Sequence, residues 1–321
     1  MALTRDALFA SPDHYLHSFD GDAAIFVAMD RAAYHRSIFL DGRIEPAGGS
    51  MRVPLPALTG AMPPARSTGW IFHVAHCGST LLARALDRGR GNLVLREPLA
   101  LRQLALAPDA SRLPLVGTML GKRYEEALAT IVKANVPVNF LLPALAARDP
   151  QAAAILLYLD LPDYLLAILR SDNHRAWLHR VTSQLAGHLG DLSGRSDAER
   201  AATLWHVQLT RFADALAALP RARALDGERF FAEPAATLAR AAPHLGVALD
   251  ADEIAAIVAG PLFSTYSKSP DTPFDNVDRL ARRQELEDTL AGEIVQAHDW
   301  LKGSGRDPAA TLAPLRAAAL V

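Results

Sequence analysis

The stretch IFHVAHCGSTLLARALD, residues 71–87, decides how this chain folds. It begins as an apolar run, breaks at residues 76–80 and continues as an amphipathic helix. A buried strand that leads through a short turn into a helix is typical of parallel α/β sheets, whose ligands bind where strands end and helices begin. Amides at a helix start are free donors, and the helix dipole favours an anion there. The stretch therefore predicts a phosphate-binding loop in which the cofactor-binding residues are Cys77, Gly78, Ser79, Thr80 and Leu81.

The lysine that nucleotide-hydrolysing enzymes need is missing from this loop. The Walker A pattern is G-x-x-x-x-G-K-[ST]. When the pattern is aligned on Gly78, its first glycine falls on His73 and its lysine falls on Ser79. ATP or GTP hydrolysis is therefore disfavoured, because little is left to neutralise the β- and γ-phosphates. A plainer alternative stays open, since a helix capped by Ser or Thr follows buried strands in many α/β proteins.

Strand-like and helix-like segments alternate from residue 69 onward. After the first strand, apolar runs predict further strands at residues 92–98, 128–134, 152–160 and 221–230. Helical periodicity or capping signals predict helices at residues 79–88, 140–148, 162–174, 196–219, 234–245, 251–259 and 278–302. This alternation predicts an α/β protein with a P-loop NTPase-like three-layer fold and a central parallel sheet of about five strands.

The chain divides into four parts on sequence grounds. Residues 1–60 predict a small N-terminal α+β appendage, with short strands in DAAIFVAMD (22–30) and SIFLDGRI (37–44) around a helix near residues 31–35. Two adjacent prolines and two glycines in the loop at 58–69 indicate a boundary, and residues 61–68 are assigned as the linker. Residues 69–303 form the predicted P-loop domain, and residues 304–321 are assigned as a C-terminal tail.

Composition excludes several classes of function. The 321 residues are 50% hydrophobic and 21% charged, and the net charge of −2 argues against a general electrostatic grip on nucleic acid. Cys77 is the only cysteine, so neither an intrachain disulfide nor a cysteine-based metal cage is expected. The longest apolar run, residues 152–159, is too short to span a bilayer, and the first residues lack a secretory signal pattern. We therefore expect a cytoplasmic protein without a membrane span, a nucleic-acid partner or a metal ion.

The loop and the segments that follow it resemble the P-loop sulfotransferases, including the bacterial sulfotransferase-like proteins. HCGSTLLARALD resembles their 5′-phosphosulfate loop, and REP at 96–98 resembles the segment that often carries an acceptor-side carboxylate. ILLYLDLPDYLLAILRS at 155–171 resembles their 3′-phosphate segment, and YSKS at 266–269 resembles a late Ser-Lys segment. The resemblance covers residues 69–302 through the order and spacing of these motifs. It implies sulfuryl transfer from 3′-phosphoadenylyl sulfate to a hydroxyl or amine, without a metal.

The resemblance also assigns the residues of the site. The predicted catalytic residues are His76, which stands where the family has lysine or arginine, and Glu97 as general base. Lys133 is added on its position alone, because it ends an apolar strand at the same sheet edge. We expect a phosphosulfate to raise the pKa of His76. The family's 3′-phosphate arginine and serine fall on Leu159 and Ala167, which cannot bind phosphate. Arg170, Ser171 or Arg175, one or two turns later, can take their place. The remaining predicted cofactor-binding residues are Arg170, Ser171 and Lys268.

Structural roles remain open for some of these residues. Glu97 can instead pair with its neighbour Arg96, and Lys133 can be a solvent-reaching lysine at a strand end. Two other functions also stay open. One is a Mg²⁺-dependent kinase or phosphotransferase in which Asp160, after an apolar strand, holds the metal together with Thr80. The other is a non-catalytic, degenerate P-loop interaction module. The acceptor is open as well, because the helical segments around 100–127 and 172–195 fit a small molecule, glycan, lipid or peptide equally.

Overall fold

The computed structural model describes residues 4–60, 62–89, 91–125 and 129–321. Its first part contains helix α1 (Arg5–Ala10), strands β1 (His14–Asp20) and β2 (Ala23–Ala28), helix α2 (Arg31–Arg36) and strand β3 (Ser50–Pro54). The three strands pair antiparallel in the order β1–β2–β3. A 3₁₀ turn at Leu55–Ala57 follows the third strand.

One strand expected in this part is absent from the described residues. The run SIFLDGRI, residues 37–44, forms a loop rather than a strand. Within it the Asp41 side chain accepts hydrogen bonds from the amide of Arg43, at 3.0 Å, and from its guanidinium. An aspartate that binds the main chain two residues ahead favours a turn over an extended strand. Because this segment is a loop and not a strand of the N-terminal sheet, its main chain can contact the central sheet.

The predicted α/β class with a central parallel sheet of five strands is confirmed. The strands are β4 (Gly69–His73), β5 (Asn92–Arg96), β6 (Ala129–Lys133), β7 (Ala154–Tyr158) and β8 (Ala222–Asp226), in the spatial order β5–β6–β4–β7–β8. All neighbours pair in parallel, and nearly every strand residue is buried, as expected for a sheet covered on both faces. Leu128, the first residue of the predicted third strand, lies outside the described residues.

Helices connect and cover the sheet strands. Between β4 and β8 they are α3 (Ser79–Ala85), α4 (Leu99–Leu106), α5 (Leu113–Leu120), α6 (Leu142–Arg148), α7 (Leu161–Leu169), α8 (Asp172–Gln184), α9 (Ala186–Leu189) and α10 (Asp197–Ala218). A 3₁₀ segment at Val136–Leu141 precedes α6. The single helix expected from residue 162 to 174 ends at Leu169, and α8 begins three residues later.

The chain ends with helices and a short hairpin. After β8 come α11 (Gly227–Ala232), α12 (Pro234–His244), α13 (Ala251–Ala259), a 3₁₀ turn at Pro261–Phe263, strands β9 (Thr265–Tyr266) and β10 (Ser269–Pro273), α14 (Asn276–Gly303) and α15 (Pro308–Ala317). The expected capping boxes are present: Ser196 with Glu199 begins α10, and Asp250 with Glu253 begins α13.

The hydrophobic core continues across the predicted boundaries. One cluster of buried side chains includes Leu16 and Phe26 of the N-terminal sheet together with residues of the central sheet. Gln103 on α4 exchanges hydrogen bonds with the main chain of Phe19, at 2.7 and 2.9 Å. The residues assigned as a tail contain α15, and Ala319 bridges to β8. Among the described helices, none has the length and apolar character needed to cross a bilayer.

Candidate active site

The turn between β4 and α3 has a strained main chain. His76 has a φ of 60° and Gly78 a φ of 87°, and both values lie in the left-handed region. A Cβ added to Gly78 would lie 2.8 Å from Cζ of Phe231. Glycine is therefore required at 78 both for its conformation and for the space beside the ring. Strain of this kind persists where surrounding structure enforces it, and it is frequent in binding loops.

The start of α3 presents unused hydrogen-bond donors. Gly78 is the N-cap of this helix and gives it no side-chain cap. Within the described ranges, no carbonyl accepts a hydrogen bond from the amides of residues 78–81, although the Ser79 amide donates to the sulfur of Cys77. Thr80 is 2% exposed, and its Oγ1 has no hydrogen-bond partner in the described part of the protein. Because a buried polar group without a partner is costly, this hydroxyl indicates a site prepared for a ligand.

The side chain of Cys77 faces the other way. Its thiol is buried and donates to the carbonyl of Val74 at 2.8 Å. Burial raises the pKa of this thiol to about 12, so it is not a thiolate at neutral pH. The predicted contact between the Cys77 side chain and a cofactor is therefore not supported by its position. Cys77 holds the turn against the sheet instead.

Glu97 and Lys133 form an ion pair at the ends of two neighbouring strands. Nζ of Lys133 contacts Oε1 of Glu97, and the two side chains are 1% and 17% exposed. The amide of Glu97 also donates to the Lys133 carbonyl at 2.7 Å. Burial by itself raises the pKa of Glu97, but the charge of Lys133 and smaller contributions outweigh it and lower the pKa overall. Glu97 is therefore a carboxylate at neutral pH.

Arg96, the alternative partner of Glu97, lies elsewhere. Its guanidinium donates to Asp87 at 2.8 Å and to main-chain carbonyls of Tyr34 and Ser37. Arg96, the last strand residue, is directed toward the N-terminal part, while Glu97, the residue after the strand, faces the cavity. Glu97 has a φ of 57°, which marks the point where the chain leaves the strand.

The β9–β10 hairpin brings Lys268 to the loop. Arg84 on α3 donates to the Ser267 carbonyl at 2.9 Å, and Arg170 donates to the hydroxyl of Tyr266 at 2.6 Å. These bonds attach the hairpin to the helices on either side of the cavity. The side chain of Lys268 is exposed, but the surrounding protein and the charge of Lys133 lower its pKa to about 8.

A group of basic rings and guanidiniums lies beside the loop. The rings of His76 and His174 are 4.5 Å apart, and His174 accepts from Nε of Arg170 at 2.9 Å. Since Nε2 of His174 accepts this bond, we infer that its Nδ1 carries the proton and donates to Ser171 Oγ at 2.7 Å. Burial and the charge of Lys268 lower the pKa of His76 well below its usual value. The raised pKa expected beside a phosphosulfate concerns the bound state and stays a prediction.

Most of the predicted site residues line one cavity of about 640 Å³. The predicted residues that line it are His76, Gly78, Ser79, Thr80, Leu81, Glu97, Lys133, Arg170 and Lys268. Cys77 and Ser171 do not line it, because Cys77 is directed into the core and Ser171 caps α8. Strand ends, α3, α7 and the hairpin therefore converge on one cavity, as they do in parallel α/β folds.

Sequence reasoning missed the arginines that α14 contributes to this cavity. Arg279 donates to Glu228 at 2.6 Å, and Arg283 pairs with Asp163 at 2.8 Å. Arg282 lines the same cavity and has no ion-pair partner in the described residues. Their spacing of three and four residues places them on one helix face, which is the signal the sequence offered. Leu159 and Ala167 also line the cavity, as apolar wall.

Asp160 lies outside the cavity. Its Oδ2 accepts from Arg316 on α15 at 2.5 Å, and it is not among the lining residues. A carboxylate held by an arginine of another helix is not placed to share a metal ion with Thr80. The magnesium-dependent alternative therefore lacks the ligand on which it depended.

No protein-family model matches the chain, and no curated protein matches it. The solved structures that resemble it include two sulfotransferases. A sulfotransferase from Alicyclobacillus acidocaldarius is 18% identical, with a TM-score of 0.39, over 77% of this chain and 99% of that chain. The sulfotransferase domain from the curacin biosynthetic pathway is 11% identical, with a TM-score of 0.42, over 71% of this chain and 99% of that chain.

Proposed function

We propose that this protein transfers a sulfuryl group from 3′-phosphoadenylyl sulfate to a hydroxyl or amine. The observation that carries the proposal is the unpartnered hydroxyl of Thr80, buried at a strained turn and lining a cavity with two lysines. The amides of residues 78, 80 and 81, which donate to no carbonyl within the described ranges, add donors beside it. Hydrogen-bond donors that have no acceptor in the described part of the protein lie beside positively charged side chains. This arrangement fits an anion with several oxygens.

In the proposed reaction, the acceptor oxygen or nitrogen forms a bond to sulfur while the bond between sulfur and the bridging phosphate oxygen breaks. The nucleotide leaves as adenosine 3′,5′-bisphosphate. Lys133 and Lys268 offset the negative charge that develops on the leaving oxygen. Glu97 accepts the acceptor's proton, and it is ionised for this role because Lys133 lowers its pKa. Since that lowered pKa makes Glu97 a weak base, proton transfer follows sulfur attack rather than preceding it.

The phosphate that the family holds with arginine and serine needs other partners in this chain. Arg170 donates to uncharged groups, and Arg282 has no ion pair within the described ranges. Both line the cavity on the side of α7 and α14. We assign the 3′-phosphate to these two guanidiniums, because Leu159 and Ala167 offer it no donor.

A panel of nucleotides tests the proposal. Adenosine 3′,5′-bisphosphate is expected to stabilise the protein more than ADP, ATP or GTP, with the same result in magnesium and in a chelator. At about 100 times its dissociation constant, it adds about 2.7 kcal/mol to the free energy of unfolding, measured as a thermal shift. Magnesium-dependent stabilisation by ATP alone would favour the phosphotransferase. Absence of stabilisation by every nucleotide would favour a non-catalytic module.

The affinity for adenosine 3′,5′-bisphosphate is expected to fall about three- to tenfold between pH 7 and pH 9. Lys268 has a pKa of about 8, so it is charged at pH 7 and mostly neutral at pH 9, and only the charged form attracts phosphate. In the unliganded protein His76 and His174 are neutral throughout this range because their pKa values are lowered. Isothermal titration calorimetry across the range measures the dependence.

Lys268→Met is the decisive variant for this pH dependence. It should bind weakly at pH 7 and show no further loss by pH 9. Lys302→Met removes the same charge from the end of α14, outside the cavity lining, and should keep the parental profile. A parental profile in Lys268→Met would exclude Lys268 as the titrating group.

A further inference from the structure

The cavity has a second basic wall, away from the loop. We call it the α4–α8 wall, and its residues are Asp41, Arg43, Arg102, Arg180 and Gln184. Arg102 lies one turn into α4, the helix that begins two residues after Glu97. Arg180 and Gln184 lie one turn apart on α8. The wall therefore adjoins the carboxylate that we assign to the acceptor's proton.

One arginine of this wall is neutralised internally. Arg43 makes two bonds to the carboxylate of Asp41, at 2.9 and 2.6 Å, and its guanidinium lies 3.9 Å from the ring centre of Phe39. Burial raises the pKa of Asp41, but its bonds to Arg43 lower the pKa overall, so the pair is an ion pair at neutral pH. Arg43 thus shapes the wall without adding net charge.

The other two arginines form no ion pair in the described part of the chain, although the charge of Arg102 also contributes to the lowered pKa of Asp41. Arg102 donates only to the amide oxygen of Gln184, at 3.3 Å, which joins α4 to α8. Arg180 has no ion pair within the described ranges, and it lines the cavity. The nearby carboxylate of Glu97 is already balanced by Lys133. The wall therefore carries two uncompensated positive charges in a shared cavity.

Planar guanidiniums bind oxyanions such as carboxylate and phosphate in a forked geometry, and they remain charged at every physiological pH. The neighbouring lining is apolar or aromatic at Phe39, Val136 and Pro137. A ligand that fits this surface has an apolar or aromatic body with an oxyanion at one end. Its hydroxyl or amine must reach Glu97 at the other.

We propose that the acceptor carries an oxyanion, a carboxylate or a phosphate, which Arg102 and Arg180 bind. This inference rests on the proposed function for the identity of the transferred group, but the oxyanion subsite is measurable without transfer. An acceptor with a cationic end is disfavoured by the same two charges. The subsite therefore selects acidic phenols, alcohols or amines over their neutral and basic analogues.

A matched series of phenols tests this selection by calorimetry, with adenosine 3′,5′-bisphosphate present so that the donor side is filled. The probes are 4-hydroxyphenylacetate, 4-hydroxybenzylphosphonate, the neutral 4-hydroxyphenylacetamide and the basic tyramine. The parent protein is expected to bind the better of the two anionic probes about tenfold more tightly than the amide, and tyramine most weakly. Comparing the affinities of the carboxylate probe and the phosphonate probe shows which of the two oxyanions the subsite binds more tightly.

The double variant Arg102→Gln, Arg180→Gln should bind the anionic probes and the amide equally. Arg240→Gln, which removes an exposed charge on α12 outside the cavity, should keep the preference. Circular dichroism and thermal unfolding confirm that each variant is folded. The inference is overturned if the parent binds neither anionic probe more tightly than the amide, or if the preference survives in the double variant.

The same titrations separate this inference from the proposed function. Binding of adenosine 3′,5′-bisphosphate is measured first, in the absence of phenols. If the nucleotide does not bind but the double variant still loses the preference for anions, the donor assignment is wrong and the oxyanion subsite stands. If the nucleotide binds and the parent shows no preference, the subsite is wrong and the proposed donor stands.

Discussion

Replacing Lys133 with methionine is expected to lower the free energy of unfolding by about 3 kcal/mol. Lys133 is 1% exposed and is paired with Glu97, whose side chain is 17% exposed. Removing one member of a buried ion pair leaves the other charge uncompensated, which typically costs about 3–5 kcal/mol. The lower end applies because Glu97 borders the cavity and keeps some solvent contact. Methionine preserves the chain length, so a packing defect contributes little. Urea unfolding at pH 7 measures the loss.

The double variant Lys133→Met, Glu97→Gln controls for this interpretation. It should recover most of the lost stability, to within about 1 kcal/mol of the parent, because no buried charge is left unpaired. A Lys133→Met protein as stable as the parent would show that the ion pair does not contribute to the free energy of unfolding. A double variant as unstable as Lys133→Met would trace the loss to packing instead.

The pH dependence of Lys133→Met should be opposite to that of the parent. In the parent the pKa of Glu97 is lowered by folding. The ion pair therefore contributes its full stability above the pKa of an unfolded glutamate, about 4.3. This contribution is lost as the pH falls through the lower pKa of the folded state. Without Lys133, the effect of burial is no longer outweighed and the pKa of Glu97 rises. Lowering the pH from 7 to 5 should then stabilise Lys133→Met, while the double variant shows no such gain.

The regular elements were predictable because their signals are local. The strand and loop at residues 69–80 follow from one apolar run and one glycine-centred turn. The start of α10 follows from Ser196 and Glu199, three residues apart, whose reciprocal bonds need no distant partner. The parallel sheet follows from the alternation of such segments. Each of these inferences uses contacts within about one helical turn or one strand.

The pairing of charges was not predictable, because it depends on which strand ends meet. Sequence adjacency makes Arg96 the obvious partner for Glu97. Strand register pairs Arg96 with Lys133, but the strand ends there, and the left-handed main chain at Glu97 brings its carboxylate to Lys133 instead. Arg102 and Arg180 come from two helices that only the tertiary fold joins. The site therefore depends on long-range register that no local pattern encodes.

Thr80→Val is expected to separate stability from binding. The Oγ1 of Thr80 has no hydrogen-bond partner in the described part of the protein, and the residue is 2% exposed. Removing such a hydroxyl relieves a desolvation cost, so the variant should unfold at the same free energy or up to about 1 kcal/mol higher. Its affinity for adenosine 3′,5′-bisphosphate should fall about 10- to 100-fold, because a hydrogen bond to a charged phosphate is lost.

Two other buried threonines provide matched controls for Thr80→Val. Thr182 donates to the Leu178 carbonyl at 2.8 Å, so Thr182→Val should lose about 1 kcal/mol of stability and keep parental nucleotide affinity. Thr237 has an unpartnered hydroxyl within the described ranges but does not line the cavity, so Thr237→Val should not lose stability and should also bind normally. Chemical unfolding and calorimetry on the three variants measure both quantities. If Thr80→Val kept full affinity, the Thr80 hydroxyl would have no role in binding, like that of Thr237. The proposal of a bound oxyanion at this turn would then lose its main support.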